Sequence, residues 1–255
     1  VIWSAIEVGG NEESTAMNER NGTLYLMPVW LGEQGGVEQL PPENIALTAR
    51  IDLWFAEHER TARHMLRRMV PAIDLRAQEI HRLDKDSDAT DIAAMIALLK
   101  GGRDGAVISE AGMPGIADPG ARLVHQAHAA GITVVPLTGP SSLFLALAAS
   151  GLNGQAFTFH GYLPRTPNER RQAIKRLEGE ARRSGAAQLF IETPYRNDAL
   201  LEDLLRTCTP DLLLTIAVDL TQAGGSVVTH PVGVWRKGPP ALGKRPAVFI
   251  LGTGA

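Results

Sequence analysis

Short β-branched apolar runs alternate with polar stretches along the 255-residue chain. The runs predict strands, and apolar positions three and four apart predict helices. In the first half, strands are expected at 23–29, 52–56, 106–109 and 132–136. Helices are expected at 44–51, 60–69, 88–100 and 121–130. The helix at 88–100 has the clearest stripe: Ile92, Met95, Ile96 and Leu99. Asp88 can cap it, Asp91 favours its positive end and Gly101 stops it.

The second half predicts a helix at 143–150 ended by Gly151 and a strand at 156–160. A long helix opens on T-P-N-E at 166–169, read as a capping box from Thr166 to Glu169 with Pro167 in the first turn. A strand at 188–192, a helix at 197–208 and strands at 213–218, 227–234 and 247–251 follow. Alternating strands and helices define an α/β chain. The strand-rich end predicts a mixed sheet there. The run P-L-T-G-P at 136–140 breaks regular structure and marks a domain boundary. The expected organisation is a flexible leader at 1–21, with Met17 as a candidate start, then α/β domains at 22–138 and 139–255.

Composition narrows the partners. With 44% hydrophobic residues the chain can fill a sizeable core. A net charge of −3 supplies no global attraction to nucleic acid, so such binding needs a local basic patch. One cysteine, Cys208, excludes an intrachain disulfide framework and a cysteine-rich zinc site, and fits a reducing cytoplasm. No apolar stretch reaches the roughly 18–20 residues that span a bilayer. The N-terminus lacks the charge and apolar pattern of a signal peptide. No His, Cys and Asp spacing suggests a metal site.

Two strands run into turns rich in Gly and Pro: S-E-A-G-M-P-G-I-A-D-P-G at 109–120 and T-G-P-S-S at 138–142. Such turns let backbone approach a small molecule closely. The first has no phosphate-loop lysine and no G-x-G-x-x-G spacing, so the ligand need not carry a phosphate. In order, the chain also reads G-T-L-Y at 22–25, A-E-H-E-R at 56–60, G-Y-L-P at 161–164 and I-E-T-P-Y-R at 191–196. This series resembles the tetrapyrrole methylase superfamily of S-adenosylmethionine-dependent methyltransferases. The nearer resemblance is to the branch containing 2′-O-ribose (cytidine) methyltransferases of the small ribosomal subunit. That branch usually reads A-E-D-T-R and S-D-A-G-T-P-x-I-S-D-P-G.

The resemblance implies two α/β domains with S-adenosylmethionine in the cleft between them, and a homodimer. It maps cofactor contacts onto Pro28, Trp30 and Gly32 after the first strand, and onto Ala111, Gly112, Met113 and Pro114 in the central turn. Ser141, Ser142 and Glu192 complete the set. The departures are Glu110 and Met113 in the turn, His58 in A-E-H-E-R, P-V-W-L-G-E-Q at 28–34, and D-L-T-Q at 219–222 followed by A-G-G-S. They bear on the methyl acceptor more than on the cofactor.

A ribose hydroxyl acceptor needs a proton acceptor. Glu57, His58, Glu59, Glu110 and Asp118 are the candidates, and Glu57 and Asp118 are the expected catalytic pair because the branch also has acids there. Asp118 also reads as a cap for the helix after it. The one basic helical cluster is 165–183, whose Arg170, Arg171 and Lys175, with Arg182 and Arg183, could track a phosphate backbone. Glu178 and Glu180 dilute it. Tyr162 or Tyr195 could stack a base. Three functions stay open: methylation of a 16S rRNA ribose, methylation of a small molecule such as a tetrapyrrole, and a cofactor-binding protein without catalysis.

Overall fold

The computed structural model describes residues 20–254. The expected leader at 1–21, Met17 included, lies outside the described residues except for Arg20 and Asn21. The first half builds one parallel sheet from β1 (Thr23–Met27), β2 (Leu53–Ala56), β3 (Glu79–Arg82), β4 (Gly105–Ile108) and β5 (Thr133–Pro136). Its order is β3-β2-β4-β1-β5. Helices α1 (Pro42–Thr48) and α2 (Glu59–Met69) cover one face, where Leu47, Met65, Leu66 and Met69 pack with Trp54 and Met27. Helices α3 (Ala89–Lys100) and α4 (Ala121–Ala129) cover the other, against Leu53, Phe55 and Val107. Strands buried on both faces read as unbroken apolar runs, which is why β2 and β4 were legible.

The second half opens with α5 (Ser142–Ser150) and builds a mixed sheet. Its strands are β6 (Phe157–Tyr162), β7 (Ala187–Ile191), β8 (Leu213–Val218), β9 (Ser226–Pro231) and β10 (Ala247–Gly252), in the order β6-β7-β10-β8-β9. Only β6 and β7 pair in parallel; the other neighbours are antiparallel. Helices α6 (Pro167–Ser184), α7 (Asn197–Thr207) and the short α8 (Val232–Trp235) pack on one face with Phe190 and Phe249. Helix α5 packs on the other with Leu189, Ala217, Val248 and Ile250. Cys208 is free and buried in the α6–α7 layer.

Four details differ from expectation. The edge strand β3 was not anticipated, because E-I-H-R lacks an apolar run and pairs only with β2. The strand expected at 227–234 stops at Pro231, and the chain turns there into α8. Thr166 stands at the N-cap of α6 but caps no backbone N–H. Its hydroxyl donates instead to Glu169 Oε2 at 2.5 Å, so the capping box does not form. Asp118 does not cap α4: Gly120 holds that position and no side chain caps the helix. The capping box of α3 does form, from Asp88 and Asp91.

Candidate active site

Parallel strands place their carboxyl ends, and the loops that follow, on one edge of a sheet. Here the loops after β1 and β4 face the second sheet across a cavity of about 680 Å³. That volume lies in the range of roughly 300–1,000 Å³ typical of small-ligand sites. Leu31, Gly32 and Ala111 line it from the first half. Ser142, Glu192, Ala217, Asp219, Gln222 and Lys244 are among the lining residues of the second. A smaller cavity of about 90 Å³ shares Leu31, Ala111, Ser142 and Ile191, and adds Gly112, Met113 and Ser141.

The cavity is closed at one side by a clasp. Gln222 Nε2 donates to the Leu31 carbonyl at 2.6 Å, and Gln222 Oε1 accepts from the Gln34 N–H at 2.8 Å. Gly32 sits at φ 72°, and a Cβ there would run into the Gln222 side chain. The loop carrying Gln222 is itself strained: Asp219 and Thr221 hold φ of 47° and 67°. Arg245 braces it by pairing with Asp219 at 2.5 Å.

Glu192 is the buried polar group of this cavity. Its Oε1 accepts from the Thr193 N–H at 2.6 Å and from Arg196. Its Oε2 is buried and has no partner. A buried orphan carboxylate oxygen beside a cavity calls for an N–H or O–H donor from a ligand. Across the cavity, Gly112 at φ 70° bridges Val29 in a short antiparallel pairing, and a Cβ there would press on Leu31 and the Pro140 carbonyl at 3.2 and 3.3 Å. Backbone therefore forms that wall, as close ligand approach requires.

Acid–base groups gather next to Ala111. Glu57 and His58 follow β2, while Glu110 and Asp118 follow β4, its neighbour in the sheet. His58 Nδ1 donates to Glu110 Oε1 at 2.7 Å. A carboxylate only accepts, so Nδ1 carries the proton of this bond and Nε2 faces away from Glu110. Glu57, His58 and Glu110 present ligand-type atoms within 4.8 Å of one another, a convergence that spacing along the chain did not suggest. Half-buried Asp118 completes the group. Desolvation first, then the charges of Glu57 and Glu110, push its pKa up to about 7. The turn that carries it holds a strained residue, Ala117, at φ 58°.

The expected cofactor residues divide. Gly32, Ala111, Gly112, Met113, Ser141, Ser142 and Glu192 line the two cavities. Pro28, Trp30 and Pro114 are buried and line neither. Trp30 belongs to the core beneath α2, with the Arg68 guanidinium 4.2 Å from its ring centre. Pro28 packs on Gly139. The expected catalytic pair, Glu57 and Asp118, comes together, with His58 and Glu110 beside it. Glu59 instead pairs with Arg63 one turn along α2.

The basic helix does not belong to the cavity. Arg170 is buried and pairs with Asp203 at 2.5 Å, and Arg171 joins the same carboxylate at 3.1 Å. Lys175 is exposed. Helix α6 packs in the layer of Phe190 and Phe249, whereas the cavity-lining Ala217 and Val248 belong to the α5 layer. The expected substrate residues therefore sit on the far face of the second sheet. Reading the sequence missed Leu31, Asp219, Gln222, Lys244 and Arg245, all of which line the cavity. The visible signals were the altered P-V-W-L-G-E-Q and D-L-T-Q runs, which hold Leu31, Asp219 and Gln222.

The fold and site define an α/β protein with a small-ligand-sized cavity between two sheets and acid–base groups next to it. Residues 34–233 match the family described as Tetrapyrrole (Corrin/Porphyrin) Methylases, and the chain belongs to that family. It is a methyltransferase, of a family that uses S-adenosylmethionine. Among its relatives is "Ribosomal RNA small subunit methyltransferase I" of Escherichia coli O157:H7, 31% identical over 87% of this chain and 73% of that protein. The protein of the same name from Xylella fastidiosa is 34% identical over 79% of this chain and 69% of its own length. The solved methyltransferase CobJ superposes with a TM-score of 0.61 at 21% identity, covering 91% of this chain and 94% of its own. A conserved hypothetical protein, APE0931 from Aeropyrum pernix K1, gives 0.65 at 16% identity, covering 92% of this chain and 86% of its own. These two likenesses speak to fold alone. Among the described residues no helix is long and apolar enough to cross a membrane.

Proposed function

We propose that this chain transfers a methyl group from S-adenosylmethionine to a ribose 2′-hydroxyl of small-subunit ribosomal RNA. The observation that carries this reading is the Glu57–His58–Glu110–Asp118 group beside the cavity. A hydroxyl must lose its proton to accept a methyl group, and these side chains supply a proton acceptor. The names of the relatives support the same acceptor.

The cavity residues fit the cofactor. Glu192 Oε2 would accept from one of its N–H or O–H groups, and Ala111, Gly112 and Ser142 would line its path. When bound, S-adenosylmethionine supplies an already activated methyl group, so the protein mainly positions and desolvates the reactants. Asp118 takes the hydroxyl proton. Its pKa of about 7 makes it a stronger base than an ordinary aspartate while leaving it ionised above neutrality. Glu57 helps to keep that pKa high, and Glu110 holds His58 in one orientation. The chain works in the cytoplasm as a homodimer. The exposed apolar Phe144 and Leu145 on α5 and Phe157 on β6 are the surface available for that contact.

Incubation with small ribosomal subunits, free rRNA and methyl-labelled S-adenosylmethionine tests the acceptor. The expected product is a 2′-O-methylated nucleoside after nuclease digestion. Cofactor binding with label on no RNA, assembled or free, would overturn the acceptor. Absence of cofactor binding at high micromolar concentration would overturn the reading as a whole.

A further inference from the structure

An enzyme that methylates a ribose must hold the phosphates around it, and the helix expected to do so faces away from the cavity. Its charge is also largely spent. Arg170 and Arg171 pair with Asp203, Arg182 with Glu178 and Asp211, and Arg183 with Glu180. We infer that the exposed face of α2, formed by Arg60, His64 and Arg67, is the docking surface for the acceptor's RNA backbone. This rests on the proposed RNA acceptor.

Helix α2 begins at Glu59, directly after Glu57 and His58 of the acid–base group. Its apolar face, Ala62, Met65, Leu66 and Met69, is buried on the first sheet. Arg60, His64 and Arg67 fall on the opposite face at helical spacing, and all three are exposed. At 1.5 Å rise per residue, Arg60 and Arg67 stand about 10 Å apart along the axis. The row therefore leads away from the site of methyl transfer.

The local charge differs from that of the chain. Residues 59–76 carry five arginines against two acids, Glu59 and Asp74, in a protein of net charge −3. Glu59 is taken by Arg63, and Asp74 accepts the Arg76 N–H. Arg67 donates to the Pro71 carbonyl at 2.8 Å, and Arg68 to that of Gly35, which leaves both cations unneutralised. Arg60 has no ion-pair partner among the described residues. Neighbouring α1 adds one acid, Glu43. A cationic row on an otherwise acidic protein, starting beside the acid–base group, fits a polyanion whose sugar is delivered there.

The test compares Arg60→Glu/Arg67→Glu with Lys175→Glu/Arg176→Glu on α6, all exposed positions. Binding of purified small ribosomal subunits and of free small-subunit rRNA is measured across a salt series, with S-adenosylmethionine affinity as the control. The α2 variant should weaken RNA binding at least tenfold at moderate salt and flatten the salt slope by about two units, with cofactor affinity unchanged. Arg60→Gln/Arg67→Gln should lose an intermediate amount. The α6 variant should bind as wild type. Undiminished binding by the α2 variant, or equal losses on both helices, would overturn the assignment to α2 alone. Failure of the wild-type protein to bind any RNA would overturn the acceptor and the docking surface together.

Discussion

The two walls of the cleft handle polar groups in opposite ways. The wall built on the second sheet ties its polar groups to fixed partners, with one buried oxygen, Glu192 Oε2, left open. Glu192 is held by Arg196, Asp219 by Arg245, and Gln222 spans to the backbone of the opposite wall. The wall built on the first sheet leaves its charged groups clustered and partly solvated. Its Glu57, Glu110 and Asp118 repel one another, and His58 relieves only Glu110. Buried, paired groups make a fixed template for a ligand. Burial first, then the crowding of its neighbouring carboxylates, makes Asp118 basic. Under the proposed function, the second wall would hold the cofactor and the first would carry the proton chemistry.

The largest change follows from filling the turn between the walls. Gly112→Arg should abolish S-adenosylmethionine binding by calorimetry, because φ 70° disfavours any Cβ and the arginine must enter the small cavity. Retained affinity would detach this turn from the cofactor site.

Asp118→Asn should lower the rate at saturating cofactor by about 10²–10⁴-fold, the usual worth of a general base, with cofactor affinity retained. The wild-type rate should rise as pH passes about 7, since the carboxylate form is the active one. Glu57→Gln removes one of the charges that raise this pKa and should move the rising limb to lower pH. Stability carries the opposite sign. Asp118 prefers its proton in the folded state, so its contribution is fully present below the ordinary aspartate pKa near 4 and is lost as pH rises to about 7. Asp118→Asn should therefore melt higher than wild type at pH 8 and equally at pH 4. A variant that melts lower at pH 8 would mark Asp118 as structural.

Away from the cleft, Asp203→Ala leaves Arg170 buried without its carboxylate and should destabilise the fold by about 3–5 kcal/mol in denaturant titration. Cofactor affinity of the remaining folded protein should be unchanged. A loss of affinity would tie α6 to the cleft after all.

The smallest effect belongs to the clasp. Gln222→Ala removes two inter-wall hydrogen bonds at a partly solvated site and should weaken cofactor binding about three- to tenfold, with each bond contributing about 0.5–1.5 kcal/mol. Unchanged affinity would mean that the loop at 219–225 does not close the cavity.

Much of the fold was legible because the buried strands are continuous apolar runs and the helices carry caps or stripes. Strand β3 was not, since an edge strand can be polar on both faces. Of the seven expected residues that line the cavities, Ala111, Gly112, Met113, Ser141 and Ser142 lie in the two Gly- and Pro-rich turns, whereas Gly32 and Glu192 were marked by the resemblance alone. Trp30, Pro28 and Pro114 stand outside both cavities, because adjacency to a cavity-lining loop does not tell which side chain faces inward. The His58–Glu110 bond was invisible for another reason. Its members stand 52 positions apart, and only the strand order makes β2 and β4 neighbours. Both are departures from the resembling pattern, which has an acid at each position, and here they meet as one pair. Likewise the arginines of α6 looked free because their partner Asp203 lies on α7.

The division between the walls is tested most directly by Glu192→Gln and Asp118→Asn measured side by side. The two readouts are S-adenosylmethionine affinity by calorimetry and methyl-transfer rate at saturating cofactor. The account predicts a crossed pattern: Glu192→Gln loses affinity and recovers rate at high cofactor, whereas Asp118→Asn keeps affinity and loses rate. Both variants losing the same parameter, or Asp118→Asn losing affinity alone, would contradict it.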